Sequence, residues 1–497
     1  MWHTACMKIL LLYPEYPNTF WSFKHVMSFV RTKAAYPPLG LLTIAPMLPK
    51  EWSKKLVDMN VTELKDKDIL DADMVFISAM IVQKESAFAV IKRCRDLGKK
   101  VVAGGPLFMS YKDNYDQVDH LILGEAETSL PIFLKDLEAG TAKRLYESKD
   151  RPPLSETPLP MWSLIRLKDY AMTSVQYSRG CPFDCEFCDI VVMNGRVPRM
   201  KSPEQMVREF QALYDAGWRG RVFVVDDNFI GNKFHVMKMM EALVVWQKKH
   251  RYPFSFLTQV SVDLAANQDL MDAMRAANFY QVFVGIETPN AEGLEECGKK
   301  QNVKSDLTEA IKTINANGMQ VMGGFIVGFD SDTDSIFDTQ INFIQKTGIV
   351  VAMVGMLGAL PGTRLWDRLK KDNRIKNDSS GDNLDGDSNI IPLHLGEDTL
   401  KAGYKKILKE IYSKKSYYKR INVLMKQYKP TTKQRFKAND IYAIGKTFWK
   451  IGLWSRGERK LFWKLILKTS FTKTRALPEV ITAIIFGYHF HAVVKKL

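Results

Sequence analysis

The feature that most constrains this 497-residue chain is a run of three cysteines, Cys181, Cys185 and Cys188. Their spacing, C-x3-C-x2-C, places three thiols on one short segment, close enough to hold one small metal cluster. A [4Fe-4S] cluster normally takes four cysteine ligands, so three cysteines leave one iron open to a small molecule. The sequence therefore predicts an iron–sulfur cluster with an open coordination position at this segment.

Two other uses of these cysteines fit less well. Structural zinc sites are four-coordinate, and no further cysteine or histidine lies nearby in sequence. A disulfide is disfavoured because the segment holds an odd number of cysteines and because we expect no secretory signal peptide. The other three cysteines, Cys6, Cys94 and Cys297, are expected to be ordinary buried or surface thiols.

The cysteine spacing resembles that of the radical S-adenosylmethionine (SAM) enzymes, in which the open iron chelates the amino and carboxylate groups of SAM. An aromatic residue usually precedes the third cysteine in that family, and Phe187 stands at this position. The resemblance implies that Cys181, Cys185 and Cys188 hold a [4Fe-4S] cluster and that SAM binds beside it.

Apolar runs typical of buried parallel strands alternate with helical patterns in the first 145 residues, beginning with Lys8–Tyr13. Glu85–Leu97 is one of the intervening helical patterns. This alternation predicts a doubly wound α/β sheet, whose ligands bind in loops at the carboxyl ends of the strands.

The loops of this region resemble those that surround the corrin in the cobalamin-binding domain of B12-dependent radical SAM enzymes. The resemblance implies a cobalamin site on ten residues: Pro14, Pro38, Leu39, Gly40, Ser78, Gly104, Gly105, Gly124, Glu125 and Glu127. The D-x-H-x-x-G motif of methionine-synthase-like domains is missing, so we expect (methyl)cobalamin without a protein histidine on cobalt. A vestigial domain that binds nothing is the alternative, since fold does not imply function.

A second series of strand-like runs, from Ser174–Tyr177 to Val350–Leu357, follows a proline-rich linker and predicts a partial (β/α) barrel. Catalytic groups in such barrels sit at the carboxyl ends of strands. The polar residues at predicted strand ends are Asp226, Asp227, Asn228, Thr258, Gln259 and Glu287. A helix cap or a solvated loop is the alternative role for each acid taken alone.

The radical SAM resemblance assigns these strand ends to SAM. Asp226-Asp227-Asn228 stands where the family often has G-G-E, which meets the SAM amino group. Glu287 matches a G-I-E-T run near the ribose. The GFIVG segment, with Gly324, Ile326 and Gly328, resembles the family segment that packs against adenine.

Positive charge is concentrated in the last part of the chain. Of 71 Lys and Arg and 55 Asp and Glu in the chain, 24 and 4 respectively lie in residues 401–497. Such asymmetry favours an acidic partner for this segment. Three interpretations remain open: a helical cap on the barrel with solvated lysines, a membrane-surface helix region, and, least favoured, nucleic-acid binding.

The predicted fold class is α/β with five parts: a Rossmann-like cobalamin-binding domain (1–145), a linker (146–170), a partial TIM-like radical SAM barrel (171–370), a polar exposed or disordered loop (371–395) and a basic helical C-terminal domain (396–497). This order of parts resembles the subgroup with hopanoid and bacteriochlorophyll side-chain methylases.

An oxygen-sensitive cluster favours a reducing cytoplasm, and the basic C-terminus leaves a peripheral position on the inner membrane face open. The resemblance implies an enzyme that methylates an unactivated carbon of a small-molecule or lipid substrate. An isoprenoid lipid or a tetrapyrrole fits the basic, aromatic C-terminus. A reductant such as flavodoxin or ferredoxin is the implied protein partner. The alternatives are non-methylating radical chemistry (cyclisation or rearrangement) and a non-catalytic cobalamin or redox sensor.

Overall fold

A computed structural model describes residues 6–20, 22–382, 384, 386, 388–431 and 438–495. Positions 383, 385 and 387 of the predicted polar loop lie outside the described residues. The predicted α/β class is confirmed: two six-stranded parallel sheets are followed by a helical C-terminal region.

The first sheet has the strand order β2-β1-β3-β4-β5-β6, with every pair parallel. Its strands are β1 Lys8–Tyr13, β2 Ser53–Asp58, β3 Met74–Ser78, β4 Lys100–Gly104, β5 His120–Leu123 and β6 Leu145–Glu147. The central strands are buried on both faces, which is why they read as unbroken apolar runs.

Helices cover both faces of this sheet. They are α2 Leu39–Ile44, α3 Asp66–Leu70, α4 Lys84–Asp96, α5 Pro106–Ser110 and α6 Ala126–Glu138. The short helix α1 Lys24–Met27 packs instead on the C-terminal part of the chain. The boundary expected at residue 145 cuts through β6, so the sheet extends into the predicted linker. Only Tyr146 of this short strand is buried, which left no apolar run in the sequence to reveal it.

The second sheet is open and has the order β14-β13-β12-β11-β10-β7, again with parallel pairs. Its strands are β7 Thr173–Val175, β10 Gly220–Val224, β11 Phe254–Val260, β12 Phe279–Glu287, β13 Gln320–Val327 and β14 Ala352–Met356. An antiparallel pair, β8 Ser178–Arg179 with β9 Arg199–Met200, flanks the cysteine segment.

The helices of this part are α7 Ile190–Asn194, α8 Pro203–Asp215, α9 Lys233–Lys249, α10 Gln268–Ala276, α11 Ala291–Glu296, α12 Lys300–Val303, α13 Leu307–Ala316, α14 Ile336–Thr347 and α15 Arg364–Lys371. Because sequential strands are neighbours and helices connect them, the predicted partial barrel is confirmed.

The C-terminal region contains α16 Glu397–Ile411, α17 Lys414–Gln427, α18 Ala438–Thr447, a π-helix Phe448–Leu453, α19 Arg459–Thr472 and α20 Leu477–Val494. One stretch, Thr474–Val494, is long and apolar enough to cross a membrane by length and composition, although half of its most apolar window is buried inside the protein. Phe486 and Phe490 of α20 contact the ring of Phe23, so this helix packs on the N-terminal segment.

The polar segment after α15 contacts the rest of the protein through some of its described residues, while Asn377, Ser380 and Gly381 are exposed. Asp378 forms an ion pair with Lys84 at 3.3 Å and accepts a hydrogen bond from Asn114 at 2.7 Å. Asn389 is buried and bonds to both the N–H and the carbonyl of Ala359. These pairings satisfy polar groups that composition alone would assign to solvent.

Candidate active site

A cavity of about 1170 Å³ lies between the carboxyl ends of the two parallel sheets. Loops of the first sheet form one side, and strand ends of the second sheet, Phe187, Cys188 and residues 377–382 form the rest. This volume exceeds the ~300–1000 Å³ typical of small-ligand pockets. The cavity therefore suits a large cofactor together with a second molecule.

Nine of the ten residues expected to meet cobalamin line this cavity: Pro38, Leu39, Gly40, Ser78, Gly104, Gly105, Gly124, Glu125 and Glu127. Pro14 does not. Its carbonyl accepts hydrogen bonds from Gln83 at 2.6 Å and Asn60 at 3.1 Å, which hold the loop after β1 in place.

Glycine at position 105 has a steric cause. The residue has φ +96, which side-chain-bearing residues rarely adopt, and an added Cβ would lie 2.8 Å from the Ser78 hydroxyl. The backbone after β4 can therefore lie close to the end of β3. No side chain from position 105 fills the cavity at this point.

Backbone contacts shape the cysteine segment. The Cys181 N–H donates to the Gly195 carbonyl at 3.1 Å, and the Cys188 N–H donates to the Cys185 carbonyl at 3.1 Å. Backbone N–H groups of Phe183 and Ile190 point at the sulfurs of Cys181 and Cys188. Hydrogen bonds to ligand sulfur are among the features that tune iron–sulfur clusters.

Burial raises the pKa of all three thiols, while the nearby Lys299 ammonium opposes the rise at Cys181 and Cys185. A bound cation deprotonates such thiols. Within the described residues, no three His, Cys, Asp or Glu side chains lie close enough together to share one metal ion.

The adjacent acids after β10 have different surroundings. Asp227 lines the cavity and accepts hydrogen bonds from the Gly180 N–H at 2.8 Å and from Asn194 at 2.9 Å. Asp226 is fully buried and accepts from the Tyr177 N–H at 2.8 Å and the Ser178 hydroxyl at 2.6 Å. Burial raises the pKa of Asp226 to about 7. Asp226 therefore supports the strand that leads into the cysteines instead of reaching a ligand.

Asn228 lies beside the first cysteine. Its amide nitrogen is 4.0 Å from the Cys181 sulfur and 3.3 Å from the Ser261 hydroxyl. Its amide oxygen is buried and has no hydrogen-bond partner among the described residues. A buried acceptor of this kind calls for a donor, and an α-amino group beside the cluster would supply one.

The two polar residues near the end of β11, Thr258 and Gln259, also have different surroundings. Thr258 is buried and donates to the Val224 carbonyl at 2.9 Å, outside the cavity lining. Gln259 lines the cavity, and its carbonyl accepts from the Phe229 N–H at 2.9 Å. The structure thus leaves Gln259, but not Thr258, available to a ligand.

Glu287, at the end of β12, has φ +64, an uncommon value for a residue with a side chain. Its carboxylate forms a short ion pair with Lys299, and both side chains are nearly buried. Burial alone lowers the pKa of Lys299, but the Glu287 carboxylate outweighs this and raises it. The sequence pattern did not predict Lys299 as a site residue. The sequence shows only that it lies twelve residues after Glu287.

On β13, Ile326 lines the cavity, whereas Gly324 and Gly328 do not. An added Cβ at Gly324 would lie 2.9 Å from the Phe283 ring, so this glycine serves packing. Gly328 has φ +101 and forms the turn that leaves the strand.

A buried charge network joins the two sheets at the cavity edge, and no sequence pattern predicts it. Arg179 donates to Glu125 at 2.7 Å and to Glu127 at 2.8 Å. Arg199 pairs with the same Glu125 and donates to the Pro152 carbonyl at 2.7 Å. Because Arg179 lies two residues before Cys181, these pairs connect the first sheet's loop to the cysteine segment.

Two family models match the chain. The radical SAM superfamily model covers residues 175–344, which include the cysteine segment and most of the second sheet. A domain of unknown function (DUF4070) covers residues 363–497.

Two similar curated proteins match nearly full length. An uncharacterized methyltransferase of Synechocystis sp. is 42% identical, with 92% of this chain and 86% of that protein covered. The hopanoid C-2 methylase of Rhodopseudomonas palustris is 33% identical, with 93% and 89% covered.

Solved structures show the same fold. The cobalamin-dependent radical SAM enzyme OxsB superposes with a TM-score of 0.62 at 15% identity, covering 99% of this chain and 80% of that one. The radical SAM methyltransferase TsrM from Kitasatospora setae superposes with a TM-score of 0.59 at 12% identity, covering 94% and 100%.

Proposed function

This chain belongs to the B12-dependent radical SAM methylases, and we propose that it methylates an unactivated carbon of a hydrophobic substrate such as an isoprenoid lipid or a tetrapyrrole. It is a radical SAM enzyme with a [4Fe-4S] cluster, SAM and cobalamin as cofactors. When bound, the cluster supplies the electron that cleaves SAM, and cobalamin supplies the methyl group.

One observation carries the proposal: a single cavity brings the loops expected for cobalamin together with Cys188, Gln259 and Ile326 of the radical SAM part. In a radical methylation, the hydrogen-abstracting site and the methyl donor must both reach the same substrate carbon. Positioning accounts for much of the rate of such steps. A shared cavity meets this requirement without a movement of either sheet.

The residues divide into three proposed roles. Cys181, Cys185 and Cys188 hold the cluster. Two polar residues of the cavity lining, Asp227 and Gln259, orient SAM. They are joined by three buried residues near the cysteines, Asn228, Glu287 and Lys299. The glycine-rich strand ends of the first sheet leave space for the corrin.

The substrate side of the cavity is expected to be dry. Phe187, Phe223, Phe325 and Ile326 line it, and their apolar side chains exclude water that would quench a substrate radical or compete for it. The same lining favours a hydrophobic substrate, because apolar surface gains most from leaving water.

The hopanoid C-2 methylase and the bacteriochlorophyllide methyltransferases of Chlorobaculum tepidum support this substrate class, since their names specify a polycyclic lipid and tetrapyrroles. A match to an anaerobic magnesium-protoporphyrin IX monomethyl ester cyclase, 22% identical over 67% of this chain, supports cyclisation as the second candidate.

The test uses anaerobically reconstituted protein with cobalamin, reductant and methyl-deuterated SAM. Host extract is divided into lipid-soluble and water-soluble fractions, and each is followed by mass spectrometry. We expect deuterated methyl in a lipid-soluble molecule, and none with Cys188→Ala. Label only in water-soluble molecules would contradict the substrate class. A product without label but with altered mass would favour cyclisation.

A further inference from the structure

We propose that one exposed face of the C-terminal region is a docking surface for an anionic lipid bilayer. The bilayer-docking face, as we call it, consists of Ile441, Trp449, Leu453 and Trp454, on α18, the π-helix and the residue that follows. It deepens the proposed function, because a hydrophobic substrate must be collected from a membrane, but binding to a bilayer can be measured without any methylation.

The apolar part of this face is unusually exposed for a soluble protein surface. The exposed fractions are 65% for Ile441, 59% for Trp449, 54% for Leu453 and 70% for Trp454. The rings of Trp449 and Trp454 lie 6.0 Å apart. Contiguous exposed apolar residues of this kind mark interaction sites, and tryptophan is enriched where protein meets the headgroup region.

The spacing of these residues places them on one side of the helix. Ile441, Gly445, Trp449 and Leu453 are all exposed and recur every four residues, whereas Ala443, Thr447 and Ile451 on the opposite side are buried. A helix with one buried side and one exposed apolar side can lie in the plane of a membrane surface. The buried side is already packed on the protein, so the stripe is free to face outward.

The part of the chain that carries the stripe is rich in positive charge. Residues 438–495 contain ten Lys and Arg against three Asp and Glu. Arg456, Arg459 and Lys460 directly follow Trp454 and are exposed. One of the acids, Glu458, is buried and accepts a hydrogen bond from Tyr418 at 3.0 Å. Asp440, beside Ile441, is exposed. The exposed basic residues outnumber it, so the net charge complements the anionic cytoplasmic leaflet.

The aliphatic members decide between a bilayer and nucleic acid. Tryptophan and arginine suit both partners, since bases stack on aromatic rings and phosphates pair with cations. Ile441 and Leu453 cannot stack on bases, but they gain from insertion among acyl chains. A stripe that alternates aliphatic and indole side chains thus favours the bilayer.

The bilayer-docking face is connected to the cavity through one segment, residues 22–36 with Phe20. The Lys450 ammonium lies 5.0 Å from the ring centroid of Phe29, and the Arg31 guanidinium lies 4.1 Å from that of Tyr442. Phe20 and Tyr36 of the same segment line the cavity. Docking of this face would bring that cavity wall near the membrane.

The proposed docking places the protein on the bilayer surface and does not insert α20 into the bilayer. The long apolar helix α20 is not available for insertion, because Val480, Ile484 and Phe490 are almost completely buried against the protein. The Phe490 ring contacts Phe20 at 5.8 Å, so removing α20 from its place would open the cavity wall. The bilayer is therefore met by α18 and the π-helix, with α20 remaining in the core.

The test is flotation of the full-length reconstituted protein with vesicles of phosphatidylcholine, with or without phosphatidylglycerol. We expect binding to the anionic vesicles that weakens as salt is added. Trp449→Ala/Leu453→Ala/Trp454→Ala should lower partition to these vesicles about tenfold or more. Arg456→Gln/Arg459→Gln/Lys460→Gln should lower it about tenfold or more at low salt and remove most of its salt dependence.

Phe234→Ala is the matched control, because Phe234 on α9 is exposed to 66% but belongs to the barrel. This variant should bind vesicles as the unaltered protein does. Circular dichroism and SAM cleavage should be unchanged in all three variants, which separates lost docking from lost folding.

Three outcomes would overturn the docking proposal: no flotation with anionic vesicles, flotation unaffected by the triple Trp/Leu substitution, or tighter binding to RNA than to vesicles. Vesicle binding without any methylated lipid would leave docking standing and count against the proposed substrate class alone.

Discussion

Glu186, which lies between the second and third cysteines, accepts hydrogen bonds from the guanidinium of Arg368 at 2.7 and 3.0 Å. Arg368 is on α15 and also donates to Asp330 at 2.8 Å. The Glu186 N–H donates to the Cys297 carbonyl at 2.9 Å. The cysteine segment is thus held from outside by Arg368, which follows the last barrel strand, and by the backbone of Cys297.

Arg368→Ala is expected to reduce the iron retained per chain and to destabilise the fold by about 1–3 kcal/mol, the range for hydrogen bonds to charged groups. Arg368→Lys should retain an intermediate amount, because lysine cannot donate two parallel bonds. Iron content and thermal unfolding measure both effects. Lys370→Ala, which changes an exposed residue of the same helix, is the control. If Lys370→Ala lost as much iron as Arg368→Ala, the Arg368–Glu186 pair would not be what holds the cysteine segment.

Lys299→Met is expected to destabilise the fold by about 3–5 kcal/mol, because it leaves the Glu287 carboxylate buried without its cation. Glu287→Gln/Lys299→Met should recover most of that stability, since no charge is then buried. SAM cleavage should stay low in both variants if the pair also orients SAM. Denaturant unfolding measures the contribution of the pair to stability, and 5′-deoxyadenosine formation measures its contribution to SAM cleavage. Full SAM cleavage by the double variant would show that the pair stabilises the fold and does not orient SAM.

Asp332 makes the stability of the fold depend on pH. One carboxylate oxygen accepts from the Gly328 and Phe329 N–H groups at 2.8 and 3.1 Å, while the other is buried without a partner among the described residues. Burial raises the pKa of Asp332 from 3.8 to about 6. The protonated form is therefore favoured in the folded state, and its contribution is lost as pH rises through about 6.

Asp332→Asn mimics the protonated carboxyl. The variant should equal the unaltered protein in stability below about pH 4 and exceed it by up to about 3 kcal/mol above pH 6. Unfolding curves collected between these pH values measure the difference. A difference that does not change with pH would show that this carboxyl is ionised throughout.

Gly40→Leu is expected to lower the cobalamin retained by the protein without lowering its stability. Gly40 lines the cavity, and an added Cβ would meet nothing within 4 Å, so a side chain can start there without a clash and extend into ligand space. Leucine also improves the helix propensity of α2. Gly40→Ala is the graded control and should retain more cobalamin. Bound cobalamin is measured by absorbance after gel filtration. If Gly40→Leu retained as much cobalamin as the unaltered protein, the corrin would not lie beside Gly40.

Much of the fold could be predicted because buried parallel strands appear as unbroken apolar runs. The β1 bounds, Lys8–Tyr13, and the β13 bounds, Gln320–Val327, agree with the sequence pattern. The cysteine segment was also visible, because its ligands are close together in sequence. The short edge strand β6 was not, since its alternating exposure leaves too few apolar residues to form a pattern.

The side-chain orientations at the site could not be predicted. Neighbouring residues on an extended chain point to opposite sides, so of Asp226 and Asp227 one had to turn inward, and the sequence does not say which. Partners far apart in sequence were equally hidden: Arg368 reaches Glu186 across 182 positions. The polar loop was assigned to solvent because Lys84 and Asn114, which bind its Asp378, lie in another part of the chain.

The most direct test of radical methylation is the ratio of 5′-deoxyadenosine formed to deuterated methyl incorporated in a single turnover with the lipid-soluble substrate. We expect one 5′-deoxyadenosine for each methyl group transferred, and neither product with Cys181→Ala. Methyl incorporation without 5′-deoxyadenosine, or incorporation that persists in Cys181→Ala, would contradict it.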